Sequence, residues 1–149
     1  MTARFGGWRV QTDSEMGGPS VATLRRVSPG AEGSGGSLQV SGEIRRGKTL
    51  RAYAGAQFSP ATSPDAPVDL SAMKELVFRA RGDGRTYAVG LFAESRGPRP
   101  TLIEFSPGDA WKEFRFPLRS FQGYDGRDLT AVFFGALDSP GPFRLQLDD

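Results

Sequence analysis

The chain has 149 residues and a mass of 16.1 kDa, with 38% hydrophobic, 11% aromatic and 24% charged residues, a composition suited to one globular domain, 1–149, that buries roughly 70% of its unfolded surface. It contains no histidine and no cysteine, which excludes serine-histidine and cysteine-histidine nucleophiles, the usual tetrahedral zinc sites and any disulfide framework; no apolar run approaches the ~18 residues of a membrane-spanning helix. With 19 Lys and Arg against 17 Asp and Glu the net charge is +2, and the longest basic runs are the pairs Arg25-Arg26 and Arg45-Arg46, so the clustered basic footprint of a nucleic-acid binder is missing.

Residues 1–10 lack the basic, apolar, small-residue order of a secretory signal, so the expected location is cytoplasmic. Glycine and proline then cut the chain into short pieces, at 16–19, 29–36, 59–67, 82–84, 97–100, 107–108, 123–126 and 140–142. The clusters at 29–36 and 59–67 read as mobile loops.

Between the breaks, apolar residues recur at every second position, which sends alternate side chains to opposite faces of a sheet. Leu38, Val40 and Ile44 alternate with Gln39, Ser41 and Glu43. Leu76, Phe78 and Ala80 face one way, Arg79 and Arg81 the other. After Gly82-Asp83-Gly84 the pattern resumes with Tyr87, Val89, Leu91 and Ala93, which predicts a hairpin at that turn and a core position for Tyr87. Phe114, Phe116 and Leu118 form another such set, as do Phe143, Leu145 and Leu147. The run 132–137 is apolar throughout and predicts a central strand covered on both faces. Only 69–75 invites a helix, of a turn or two. Eight to ten short strands predict an all-β fold, an antiparallel β-sandwich or jelly roll.

Several motifs carry chemistry on paper. Gly42 through Lys48 and Thr49 spells G-x-x-x-x-G-K-T, the letters of a phosphate-binding loop, but that loop must leave a parallel strand and open a helix, and no βαβ pattern follows. Arg81-Gly82-Asp83 spells an adhesion tripeptide at a position where a turn is already required. Trp111 shares the polar phase of Glu113 and Arg115 and is expected to be exposed; with Tyr53 it offers a flat ring on which a sugar could stack. Arg79 and Arg81 are candidates to face a ligand groove. Glu94, Glu104 and Asp109 are the carboxylates placed in or near strands, with no pattern singling out a catalytic pair. Asp13 and Asp148 offer hard oxygen ligands to a calcium ion, the one cofactor that the sequence suggests.

The landmarks also occur in a telling order. Trp8, Asp13, Met16-Gly17-Gly18 and Ser20 come first, then Ser41-Gly42, then Leu76 to Ala80 running into Arg81-Gly82-Asp83-Gly84-Arg85 with Tyr87. Trp111 leads to Phe116-Pro117-Leu118 and Phe121, and Gly141-Pro142-Phe143 to Leu147-Asp148. From Phe5 to Asp149 this order resembles the CIA30 domain, the family of the complex I intermediate-associated protein. The resemblance implies a galactose-binding-like β-sandwich and a non-catalytic module. It implies a protein partner too, as an assembly factor for respiratory or photosynthetic complexes or as an accessory domain joined to an enzyme. It sets the 42–49 stretch between two strands, against the nucleotide reading. The family's last strand continues past Asp148, so here it is expected to be short or trimmed. Because related sandwiches serve as carbohydrate-binding modules, saccharide binding through Trp111 or Tyr53 is the alternative.

Overall fold

Alternation in the sequence becomes ten strands in the computed structural model, which describes residues 8–27, 36–47, 51–60, 67–97 and 99–148. They are β1 (Trp8–Thr12), β2 (Val21–Val27), β3 (Ser37–Ile44), β4 (Tyr53–Phe58), β5 (Glu75–Gly82), β6 (Tyr87–Ala93), β7 (Thr101–Phe105), β8 (Lys112–Pro117), β9 (Leu129–Leu137) and β10 (Gly141–Asp148). Two five-stranded sheets result, ordered β1-β4-β9-β6-β7 and β2-β3-β10-β5-β8, and every ladder between strands is antiparallel. The fold is the all-β sandwich that the periodicity predicts, with β9 central in the first sheet as its continuous apolar run requires.

The inner faces meet in one core. Val40, Leu145 and Val89 are fully buried, and four phenylalanines knit the layers together: Phe78 and Phe114 from the second sheet, Phe105 and Phe134 from the first. Phe78 lies 4.9 Å from Phe134 and 5.1 Å from Phe105, edge to face, and Phe105 lies 5.2 Å from Phe114. Such geometry adds to the area buried, and removing one ring to alanine costs about 3–5 kcal/mol. Tyr87 joins this core at 1% exposure.

Two local expectations need correction. The turn at 82–86 is not a hairpin: β5 belongs to the second sheet and β6 to the first, so the chain turns a corner between layers. Gly84 at φ 88° satisfies either kind of turn. What holds this one is Asp83, which accepts from the Tyr87 hydroxyl at 2.7 Å and from the Arg144 backbone N–H at 3.0 Å, tying β6 to β10 across the layers. The segment 69–75 is a turn and not a helix. Ser71 donates its N–H and hydroxyl to Asp69 at 2.9 and 2.6 Å, Met73 N–H reaches the Leu70 carbonyl, and β5 opens at Glu75. The loops expected at 29–36 and 59–67 fall almost wholly outside the described residues.

Candidate functional site: the outer face of the second sheet

Directly paired residues of an antiparallel ladder share a face, so the registers state which side chains each sheet turns outward. In the second sheet Arg25 pairs Gln39, Gln39 pairs Gln146, and Gln146 pairs Arg81. Ala80 pairs Lys112, which sets Trp111 opposite Arg81. The row Arg25, Gln39, Gln146, Arg81, Trp111 therefore crosses all five strands, a span of roughly 19 Å at ~4.8 Å per strand step. One row over stand Thr23, Ser41 and Arg144; on the other side stand Ser37, Asp148, Arg79 and Glu113.

Within the row the groups are organised. The Arg81 guanidinium lies over the Trp111 ring at 5.0 Å, and its Nε–H donates to Gln146 Oε1. On its other side Gln146 stands opposite Gln39 in the ladder. A cation stacked on an indole holds both planes in place for about 0.5–1 kcal/mol at an accessible site. Arg25 and Arg144 are exposed, whereas Arg81, Trp111, Gln39 and Gln146 are half-buried.

Electrostatically the acids of this face are spent on other partners. Glu43 pairs with Arg45 at 2.7 Å, and Glu75 and Glu113 hold Arg115 at 2.7 and 2.9 Å, raising its pKa, first through the Glu113 bond and then through Glu75. Asp83 is turned to Tyr87, and Asp148 pairs Arg79 in the ladder. Among the described residues Arg25, Arg81 and Arg144 have no ion pair.

Tyr53 and Glu104, named with Trp111, Arg79 and Arg81 from the sequence, lie on the opposite side of the molecule. They project from the outer face of the first sheet, where Gly55, Gly135 and Ala88 line a trough between Gln11 and Glu104. The floor of that trough is closed. Phe133 meets Tyr53 edge-on at 6.2 Å, leans across Gly135, and is only 3% exposed; Gln57 is 4% exposed. At its rim lies an open depression lined by Arg46, Arg51, Asp138, Ser139 and Pro140, where one carboxylate serves both arginines. Asp138 accepts from Arg51 at 2.7 Å and from the Ala52 N–H at 3.1 Å, and the Arg51 bond foremost holds its carboxyl below the usual range.

Asp13 is buried at 0% exposure. Its carboxylate accepts from the Ser20 N–H at 3.0 Å, the Ser20 hydroxyl at 2.7 Å and the Tyr53 N–H at 3.2 Å. In this geometry the carboxylate ties down the backbone amides of Ser20 and Tyr53. It follows β1 of the first sheet, whereas Asp148 ends β10 of the second, and among the described residues no three acids gather as a metal site would require. Glu104 pairs Ala88, whereas Glu94 opens the turn beyond the end of β6 at Ala93; the five residue steps from Ala88 to Ala93 alone span roughly 16 Å at 3.3 Å per residue, too far for a catalytic carboxylate pair. Gly42 lies inside antiparallel β3, flanked by β2 and β10, while Lys48 and Thr49 lie outside the described residues.

Alternation reveals which strand positions point outward but not which sheet each strand joins, and for that reason Arg25, Gln39, Arg144 and Gln146 were not legible as neighbours of Trp111. The polar phase of the segments 37–44 and 141–148 was the only available signal.

Comparison with known proteins agrees with this architecture. The family model described as Complex I intermediate-associated protein 30 (CIA30) matches residues 2–132. Among curated proteins none matches significantly. Similar solved structures include the family 11 carbohydrate-binding module of a cellulosomal cellulase of Clostridium thermocellum, 16% identical with a TM-score of 0.65, covering 99% of this chain and 91% of that one. A family 11 module from the same organism, in complex with a β-1,3-1,4-mixed-linked tetrasaccharide, is 18% identical with a TM-score of 0.61, covering 95% and 88%. A family 30 module of another cellulosomal cellulase of Clostridium thermocellum is 15% identical with a TM-score of 0.61, covering 85% and 79%.

Proposed function

The chain belongs to the CIA30 family, and from that premise we propose that it is a non-catalytic binding module that recognises a saccharide through the outer face of its second sheet. The row Arg25, Gln39, Gln146, Arg81 and Trp111 carries this reading. A sugar ring presents one apolar face and a rim of hydroxyls; an indole fixed in its plane takes the first, and neighbouring amide and guanidinium groups take the second. Modules of similar fold include one solved with a tetrasaccharide bound, and a chain with neither histidine nor cysteine is poorly equipped for acid-base or nucleophilic turnover.

Affinity gel electrophoresis through polysaccharide-loaded gels tests the proposal. A ligand should retard the native chain, and Trp111→Ala should abolish the retardation with little change in melting temperature. Retardation that survives Trp111→Ala would overturn it.

A second reading, a protein partner in complex assembly, is favoured by the family's description and by Val21 and Val77, exposed large apolar residues on this same face. They stand toward opposite corners of the sheet, however, and the desolvated aromatic or aliphatic centre on which protein interfaces concentrate their energy is missing between them.

A further inference from the structure

The charge balance of this face points to a more particular ligand. We infer that the row binds an acidic polysaccharide, one whose sugars carry carboxylates, laid across the five strands of the second sheet. The inference rests on the saccharide reading above.

Three arginines on one open face, Arg25, Arg81 and Arg144, have no carboxylate partner among the described residues, while the acids around them are engaged by Arg45, Arg115 and the Tyr87 hydroxyl. A neutral glycan would leave those charges unanswered. A uronate answers them, because a guanidinium offers paired N–H donors that fit a carboxylate in a fork. The spacing also suits a polymer. Each strand step is ~4.8 Å, close to the length of one pyranose unit, so a chain crossing the strands meets Arg25, Gln39, Gln146, Arg81 and Trp111 at successive sugars. Along that path two arginines flank a pair of amides, Trp111 closes one end, and Arg144 stands beside the middle, in the ladder two residues from Gln146. The row has no exposed apolar centre to anchor a folded protein.

The test compares polygalacturonate, the same polymer with its carboxyl groups reduced, a neutral mixed-linkage β-glucan and polyglutamate, by calorimetry at low salt and in ~0.5 M salt, where the screening length falls to a few ångströms. Polygalacturonate should bind and weaken with salt, the reduced polymer should not, and Arg25→Gln with Arg144→Gln should lower affinity about tenfold or more, as expected for loss of a charge-assisted bond. Both residues are exposed, so the double variant is expected to fold; Arg9→Gln, exposed on β1 of the other sheet, should bind as the native chain does. Equal binding of the reduced polymer or the β-glucan would overturn the requirement for carboxylates and leave the saccharide reading standing. Binding of polyglutamate as tightly as polygalacturonate would overturn it in favour of an acidic protein segment. No binding to any polysaccharide would sink both this inference and the reading it rests on.

Discussion

Asp13→Ala probes how a buried carboxylate organises the N-terminal edge of the sandwich. In the native chain the carboxylate receives three hydrogen bonds, from the Ser20 N–H, the Ser20 hydroxyl and the Tyr53 N–H. The hydroxyl has another acceptor within reach, the Arg45 carbonyl at 3.3 Å, so the truncation strands two donors, both backbone N–H groups. At ~1–3 kcal/mol for each donor left without a partner, and more where the lost acceptor was charged, the expected cost is about 3–5 kcal/mol. For a chain of this length that lowers the melting temperature by roughly 10–15 °C. Asp13→Asn keeps one carbonyl oxygen to accept and should cost about half as much. Urea unfolding followed by tryptophan emission reads this directly, because Trp8 sits 5.3 Å from Phe58 and 5.8 Å from Phe134 and reports on the same edge. A loss below ~1 kcal/mol with an unchanged denaturant slope would refute the clamp. A rise in melting temperature with calcium in the native chain that is absent from Asp13→Asn would instead make the carboxylate a cation ligand.

Gly42→Ala should be among the most damaging single changes, because the new methyl would run into the Val21 carbonyl oxygen and lie 2.8 Å from Ala22 Cα, prising β2 from β3; circular dichroism and the urea midpoint check it, with a loss above ~2 kcal/mol expected. Burial foremost, then the bond to Asp83, pushes the Tyr87 hydroxyl above its ordinary value of 10.0, and burial pushes Tyr124 up to about 12. Tyrosines of the unfolded chain ionise first, so stability is fully present below pH 10 and falls as pH rises above it. Tyr87→Phe should cost about 1–2 kcal/mol at neutral pH and flatten the alkaline decline seen in urea titrations. Asp138→Ala loses the bonds to Arg51 and Ala52 and places a methyl-bearing residue at φ 54°, for ~1–3 kcal/mol, whereas Asp138→Gly should recover part of that loss in the same thermal melt.

The strands that alternate cleanly were legible because burial on one face leaves a period of two in the sequence. β3, β5, β6, β8 and β10 all carry it, and β9 shows instead the continuous apolar run of a strand covered on both faces. β4 does not, since Ala54, Gly55 and Ala56 are small on both faces, and β2 blurs it with the adjacent arginines Arg25 and Arg26. The corner at Asp83 and Gly84 read as a hairpin because the local turn chemistry is shared; only Tyr87 and Arg144, 57 positions apart, distinguish it, and no local pattern reports a bond of that span. The same limitation divided the candidate site. Trp111, Arg79 and Arg81 fall together on the second sheet and Tyr53 and Glu104 on the first, an outcome set by strand order and invisible to any window of ten residues.

That strand order also governs how the molecule comes together. Of the ladders between strands, only β2 with β3 and β6 with β7 join neighbours in the chain; the others close long loops before any pairing rewards them, which places folding in the slow range of milliseconds to seconds. The middle strand of each sheet, β9 in one and β10 in the other, is also the last to be synthesised among the described residues. Until both have left the ribosome, each sheet exists as two separated halves with unpaired edges and an uncovered set of phenylalanines. The nascent chain thus carries two local hairpins, β2 with β3 and β6 with β7, and strand edges that stay open to aggregation until the middle strands pair.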